Sequence, residues 1–179
     1  MAIASGITIE EFERLPYALA HNHELVNGEL VDVSGNTAGH NMLRDHLLVL
    51  LSPYVRERKL GKVICEQDYD FEGNVHGPDV SFINAAKLHL FRRERRVRLF
   101  VPDLAIEIVS ATDTFDGLIE KVLRYRTCGT KEAWVLCSGT RHAFLLSEDR
   151  QSILREVKMF ESKLIPGFAI RLADLFGQA

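Results

Sequence analysis

The chain has 179 residues, room for one ordinary domain and not comfortably for two, with 46% hydrophobic and 26% charged side chains. Its 22 Lys and Arg against 25 Asp and Glu leave a net charge of -3. That balance excludes a protein held on nucleic acid by bulk positive charge, but not an enzyme that needs carboxylates of its own. With 12 glycines and 5 prolines it is not a linker or a disordered chain.

Thr8-Ile9-Glu10-Glu11 has the spacing of a capping box and opens a short helix that Pro16 stops after Leu15. Asn27-Gly28, between the alternating runs of residues 24–33, is the strongest short signal for a β-hairpin. Met42, Leu43, His46, Leu47, Leu50, Leu51 and Tyr54 recur at helical spacing and predict a long amphipathic helix over 38–58. Strands are predicted at 63–71, 79–83 and 103–109, with an arginine-rich stretch from Arg92 to Arg98 between the last two. Leu118, Ile119, Val122, Leu123 and Tyr125 mark a second helix that ends near Gly129. Strands at 133–137, 143–146 and 153–157 follow, and Pro166-Gly167 leads into a closing segment over 168–176. The order predicts one domain over residues 1–179, α/β or mixed α+β, with a central sheet flanked by helices and preceded by an N-terminal helix and β-hairpin.

No apolar run approaches the roughly 20 residues that span a bilayer. Residues 1–6 lack the basic region of a signal peptide. Cys65, Cys128 and Cys137 are odd in number and widely spaced, which reads as reduced thiols in a cytoplasmic protein. The expectation is a cytoplasmic chain with no membrane partner.

The chemistry concentrates in Pro102-Asp103-Leu104-Ala105-Ile106-Glu107-Ile108-Val109. Such a run reads as a strand buried on both faces, with Glu107 on the side of Ala105 and Val109. A buried carboxylate there needs a cation, a donor or a proton. A structural ion pair to an arginine is one solution; a metal or catalytic role is the other. Asp79, in Gly77-Pro78-Asp79-Val80, reads alone as turn chemistry, and beside Glu107 as the second of two hard oxygen ligands suited to Mg²⁺. Lys121, one helical turn before Tyr125, borders the apolar stripe of its helix. Taken alone it reads as a solvated surface lysine.

Glu24-Leu25-Val26-Asn27-Gly28-Glu29-Leu30, His40, Gly77-Pro78-Asp79-Val80 and the strand from Pro102 to Ser110 occur in one order. They are followed by Lys121-Val122-Leu123-Arg124-Tyr125, Glu132-Ala133-Trp134-Val135-Leu136 and Leu164-Ile165-Pro166-Gly167-Phe168. This ordered set resembles a bacterial putative restriction endonuclease family within the PD-(D/E)XK nuclease superfamily. The resemblance covers residues 8–176 and implies a restriction-endonuclease-like core with its site at one end of the sheet. It implies Asp79 and Glu107 as the acidic pair, and Lys121 in place of the usual lysine two positions after the glutamate, where this chain has Val109. Glu29 resembles the additional acidic residue from the N-terminal region, with Glu24 the competing choice.

The implied activity is hydrolysis of DNA phosphodiester bonds with Mg²⁺ (or Mn²⁺) held by Asp79, Glu107 and the Ile108 carbonyl. A homodimer is the expected assembly. The competing reading is a nuclease-fold nucleic-acid-binding or regulatory protein without cleavage, and RNA stands as a competing substrate. His40 either caps its helix or supports the site, and Tyr125 either packs on the sheet or supports the site. Arg92, Arg93, Arg95, Arg96 and Arg98 either contact DNA phosphates or form a solvated face. The contiguous His21-Asn22-His23 reads as a polar turn, since one tripeptide cannot spread its side chains over a hairpin and a helix.

Overall fold

The computed structural model describes residues 6–33, 36–110, 113–149, 151–155 and 158–177. The predicted capping box forms: Thr8 Oγ1 accepts from Glu11 N (3.2 Å) and Glu11 Oε2 accepts from Thr8 N (2.7 Å), starting α1 (Ile9–Glu13). Pro16 then caps a second short helix, α2 (Tyr17–Ala20), that the sequence pattern does not announce. Asn27 (φ 52°) and Gly28 (φ 82°) make the tight turn between β1 (His23–Val26) and β2 (Glu29–Asp32), with both central residues left-handed as such a hairpin requires. Thr37 caps α3 (Ala38–Glu57), which turns Leu43, Leu47, Leu51 and Val55 into the core.

The strand predicted over 63–71 is two strands. β3 (Gly61–Cys65) stops where Glu66 takes φ 49° and turns its N–H to the carbonyls of Pro78 and Asp79. The chain then leaves the central sheet for β4 (Tyr69–Phe71) and β5 (Asn74–His76), which join the hairpin in a small sheet of order β2-β1-β5-β4. β5 was not anticipated, because three residues flanked by glycines carry no periodicity.

The central sheet has the order β10-β9-β8-β7-β6-β3. It comprises β3, β6 (Val80–Asn84), β7 (Leu104–Ile108), β8 (Glu132–Cys137), β9 (His142–Ser147) and β10 (Gln151–Arg155). Residues 156 and 157 of the last predicted strand lie outside the described residues. β7 and β8 are parallel, joined through α4 (Phe115–Thr127); the other neighbours are antiparallel. β7 is buried along its whole length, as the sequence predicts. Leu104, Ile106 and Ile108 pack with the apolar face of α3, while Ala105 on the other face joins Tyr125 of α4. A 3₁₀ helix over Ala85–Leu90 links β6 towards β7. The chain closes with β11 (Met159–Glu161), β12 (Ala169–Arg171) and α5 (Leu172–Phe176), which bring Phe160, Leu172, Leu175 and Phe176 onto the α3 side.

Asp103, at the entry to β7, is fully buried. Its Oδ2 accepts from Asn84 N (2.8 Å), and its Oδ1 lies 3.2 Å from the ammonium groups of Lys87 and Lys131. Burial pushes its carboxyl pKa up, but the Asn84 amide and the two ammonium groups outweigh that and hold it below the usual range. Asp103→Ala is expected to lower stability by about 2–4 kcal/mol at pH 7, since it strands a buried amide and frees two lysines. A depressed carboxylate pKa contributes stability that is present above the unfolded value and lost as pH falls through the folded value. In urea unfolding the gap between variant and wild type should therefore shrink on acidification below about pH 4. A gap that grows there would show that Asp103 is not held as the anion.

Candidate active site

The antiparallel register of β6 and β7 sets Val80 opposite Ile106, so Asp79, one residue before β6, lies beside the end of β7. Its Oδ2 accepts from Ile108 N (2.7 Å), and its Oδ1 is 3.2 Å from His40 Nε2 in the first turn of α3. Glu107, only 6% exposed, faces α4 as strand alternation predicts. Its Oε1 accepts from the Tyr125 hydroxyl (2.6 Å), and its Oε2 lies 3.2 Å from Lys121 Nζ. Lys121 and Tyr125 are one turn apart on α4 and grip the two oxygens of one carboxylate. Position 109, where the resemblance would place a lysine, holds Val109 in the apolar patch under α4, and an ammonium arrives from the helix instead.

Lys121 Nζ is also 2.9 Å from Glu24 Oε1. Glu24, on β1, is buried; its Oε1 accepts from Gly77 N (3.1 Å) and its Oε2 is 2.8 Å from His76 Nδ1. Of the two N-terminal acids, the structure brings Glu24 to the cluster and leaves Glu29 outside it. Glu29 is the first residue after the tight turn, paired with Val26 on the outer strand of the small sheet, and is exposed to solvent. Glu24 sits at the opposite end of the hairpin, on the inner strand that pairs with β5, and so reaches inward.

The charges set one another. Burial drives the Glu107 carboxyl up, and Lys121 pulls it back; the Asp79 and Glu24 carboxylates add to the rise, leaving it pushed up to about 8. Burial also opposes ionisation of Glu24, but Lys121 and His76 win there and bring it down to about 2. The Lys121 ammonium is held in its charged form by Glu107 and Glu24 despite burial. His40 is raised, because Asp79 outweighs the cost of burying its charge. Burial keeps His76 low in spite of Glu24. Burial and the neighbouring carboxylates push the Tyr125 phenol well up, which keeps it a hydrogen-bond donor. Glu24 and Glu107 thus share one ammonium, and Asp79 faces His40 beside them.

The cluster lies in a cleft of about 1140 Å³. Arg44, Arg96, Arg98 and Arg124 line it together with the acids. The arginine run of the sequence is divided by its partners: Arg96 and Arg98 reach the cleft, whereas Arg95 pairs with Glu13 of α1 (2.6 Å) and Arg92 and Arg93 are exposed away from it. Arg96 binds Asp68 (2.7 Å); Arg98 donates to Gln67 Oε1 (3.1 Å) and to the Arg92 carbonyl, both neutral. Sequence reasoning missed His76 and, as a cleft residue, Arg124, whose Nη1 lies 3.5 Å from His76 Nε2. The only available signal was that His76 directly precedes Gly77-Pro78-Asp79. His21-Asn22-His23 forms the turn into β1, as read, with His23 Nδ1 2.6 Å from the Leu19 carbonyl.

The fold is similar to the crystal structure of a putative nuclease belonging to DUF820 from Anabaena variabilis ATCC 29413. The TM-score is 0.85 at 18% identity, over 96% of this chain and 98% of that one, a likeness of fold. No curated protein matches the chain. Residues 9–173 match the putative restriction endonuclease family Uma2. That match takes in every cleft residue from Glu24 to Lys121, and the chain belongs to this family.

Proposed function

We propose that the chain hydrolyses DNA phosphodiester bonds with a divalent metal, Mg²⁺ or Mn²⁺, at the cleft formed by Asp79, Glu107 and Lys121. The observation that carries this is the meeting of two carboxylates from adjacent strands with one ammonium from the following helix. Among the described residues no three His, Cys, Asp or Glu side chains are grouped as a ready-made metal cage. Mg²⁺ does not require one: it keeps several waters and is bound through one or two carboxylates plus substrate phosphate. The residues present fit it, because Asp79 and Glu107 are hard oxygen donors, and a dication offsets both the burial that raises Glu107 and the neighbouring carboxylates that add to it. Asp79 and Glu107 would hold the metal, with the Ile108 carbonyl as a further donor.

When bound, the metal supplies positive charge to the phosphate oxygens of the scissile bond. Lys121, fixed as a cation between Glu24 and Glu107, orients the attacking water and steadies the phosphate; it is too firmly protonated to act as a base. Tyr125 fixes the Glu107 carboxylate by its hydroxyl, and His40 does the same for Asp79. Arg98 and Arg124 present cations to neighbouring phosphates. A homodimer in the cytoplasm is part of this reading, and light scattering of the purified chain tests the assembly.

Purified protein is expected to nick supercoiled plasmid with Mg²⁺ or Mn²⁺ and not with EDTA. Asp79→Ala and Glu107→Ala should each lower the rate by about 1000-fold, the equivalent of several kcal/mol of lost charge stabilisation. Added Mg²⁺ should raise the melting temperature of wild type through binding to the native state, and should leave that of both variants unchanged. Equal nicking by all three proteins would reveal contamination and sink the assignment.

A further inference from the structure

The cleft has a further surface that hydrolysis does not use. Tyr17 is 77% exposed, and its only ring partner among the described residues is His21, stacked at 5.0 Å and 12°. Val31 and Val33 are each 42% exposed beside them, and all four residues line the same cleft as Asp79 and Glu107. An aromatic stack and two branched aliphatic side chains left in water at the mouth of a charged cleft are costly unless something covers them. The segment that carries them is braced. Pro16 sets the start of α2, Arg96 donates to the Ala20 carbonyl at its end, and His23 Nδ1 bonds to the Leu19 carbonyl.

Resting on the hydrolysis reading above, we infer that Tyr17 and His21 form a stacking platform for an unpaired nucleobase, so that the favoured substrate is single-stranded DNA. The chemistry of the cleft lining carries this. Arg98, whose hydrogen-bond acceptors among the described residues are both neutral, and Arg124, beside neutral-leaning His76, offer charge to phosphates. Tyr17, His21, Val31 and Val33 offer flat and apolar surface in the same cleft. A duplex shows its phosphates outward and hides its base faces, so it engages the cationic side chains alone. A single strand shows both, and stacking on an aromatic ring is available to every base.

The test is anisotropy of a labelled single-stranded oligonucleotide and of the same sequence as a duplex, in EDTA so that binding is read without cleavage. Wild type is expected to bind the single strand at least about tenfold more tightly. Tyr17→Ala should weaken single-strand binding by about 5- to 100-fold, the size of one lost stacking contact, and leave duplex binding unchanged. Tyr17→Phe should behave as wild type, which a merely structural role for the hydroxyl would not allow. Equal affinity for the two strand forms, or a Tyr17→Ala protein that binds the single strand as wild type does, overturns the platform. Binding of neither form overturns it as well. Stacking without plasmid nicking would remove the hydrolysis reading alone, while nicking with an indifferent Tyr17 would remove the platform alone.

Discussion

Glu107→Gln is expected to melt several degrees higher than wild type in metal-free buffer at pH 8 while losing plasmid nicking. The cause is the electrostatic imbalance of the site. The Glu107 carboxyl is buried against the carboxylates of Asp79 and Glu24, and Lys121 compensates only in part. Glutamine keeps the shape and the acceptor for Tyr125, and leaves Lys121 its bond to Glu24. Removing one buried negative charge from such a cluster is worth about 1–3 kcal/mol, or roughly 3–10 °C for a chain of this size.

The sign of the pH dependence follows from the raised pKa. Between the ordinary glutamate value and about 8, the folded protein binds a proton that the unfolded chain has released. Wild-type stability then falls as pH rises across that window, and the neutral variant escapes the loss. Melting curves from pH 5 to 8 should show the gap widening upward. A constant gap, or one that closes towards pH 8, would mean that Glu107 is ionised throughout and the account of the site's charge is wrong. Saturating Mg²⁺ should narrow the gap by stabilising wild type alone.

Lys121→Met carries the opposite expectation for stability. It leaves Glu24 and Glu107 buried without their shared cation, and breaking such a pair by removing one partner costs about 2–4 kcal/mol when one side is partly exposed. Nicking should fall at least about 100-fold, as for other losses of a preorganised charge at a reacting phosphate. A double variant, Glu24→Gln with Lys121→Met, separates the two roles. Relieving one stranded carboxylate should recover a large share of the stability while activity stays lost. If the single variant melts with wild type, Lys121 is a solvated surface residue, and the central cation of the site has to be sought elsewhere.

The strand of Glu107 was legible because one carboxylate in an otherwise apolar run leaves a short menu of explanations, all of which require a partner. The apolar face of α3 and the turn at Asn27-Gly28 were legible because both depend on local geometry. What failed to show was set by contacts between distant segments. Glu24 and Glu29 share one hairpin, and only the pairing of β1 with β5 decides which of them points into the protein. Arg95 and Arg96 are neighbours, yet one is drawn to Glu13 on α1 and the other to Asp68. The break at Glu66 depends on the carbonyls of Pro78 and Asp79, twelve or more positions downstream, and His76 gained its place only through the sheet that this break creates. Lys121 was the reverse case: unremarkable as a helical lysine, it was singled out by the resemblance, and its bonds to Glu24 and Glu107 follow from α4 lying over β7.

Glu24 and Lys121 are separated by more than half the chain, and their contact joins the N-terminal hairpin to α4 within the cleft. During synthesis the wall that carries Tyr17 and Glu24 is made first, then the strands of Asp79 and Glu107, and the ammonium only when about two thirds of the sequence exists. A nascent or truncated chain that stops before α4 therefore holds acids without their cation. The order of the segments means that the acids of the cleft are made before the cation that neutralises them.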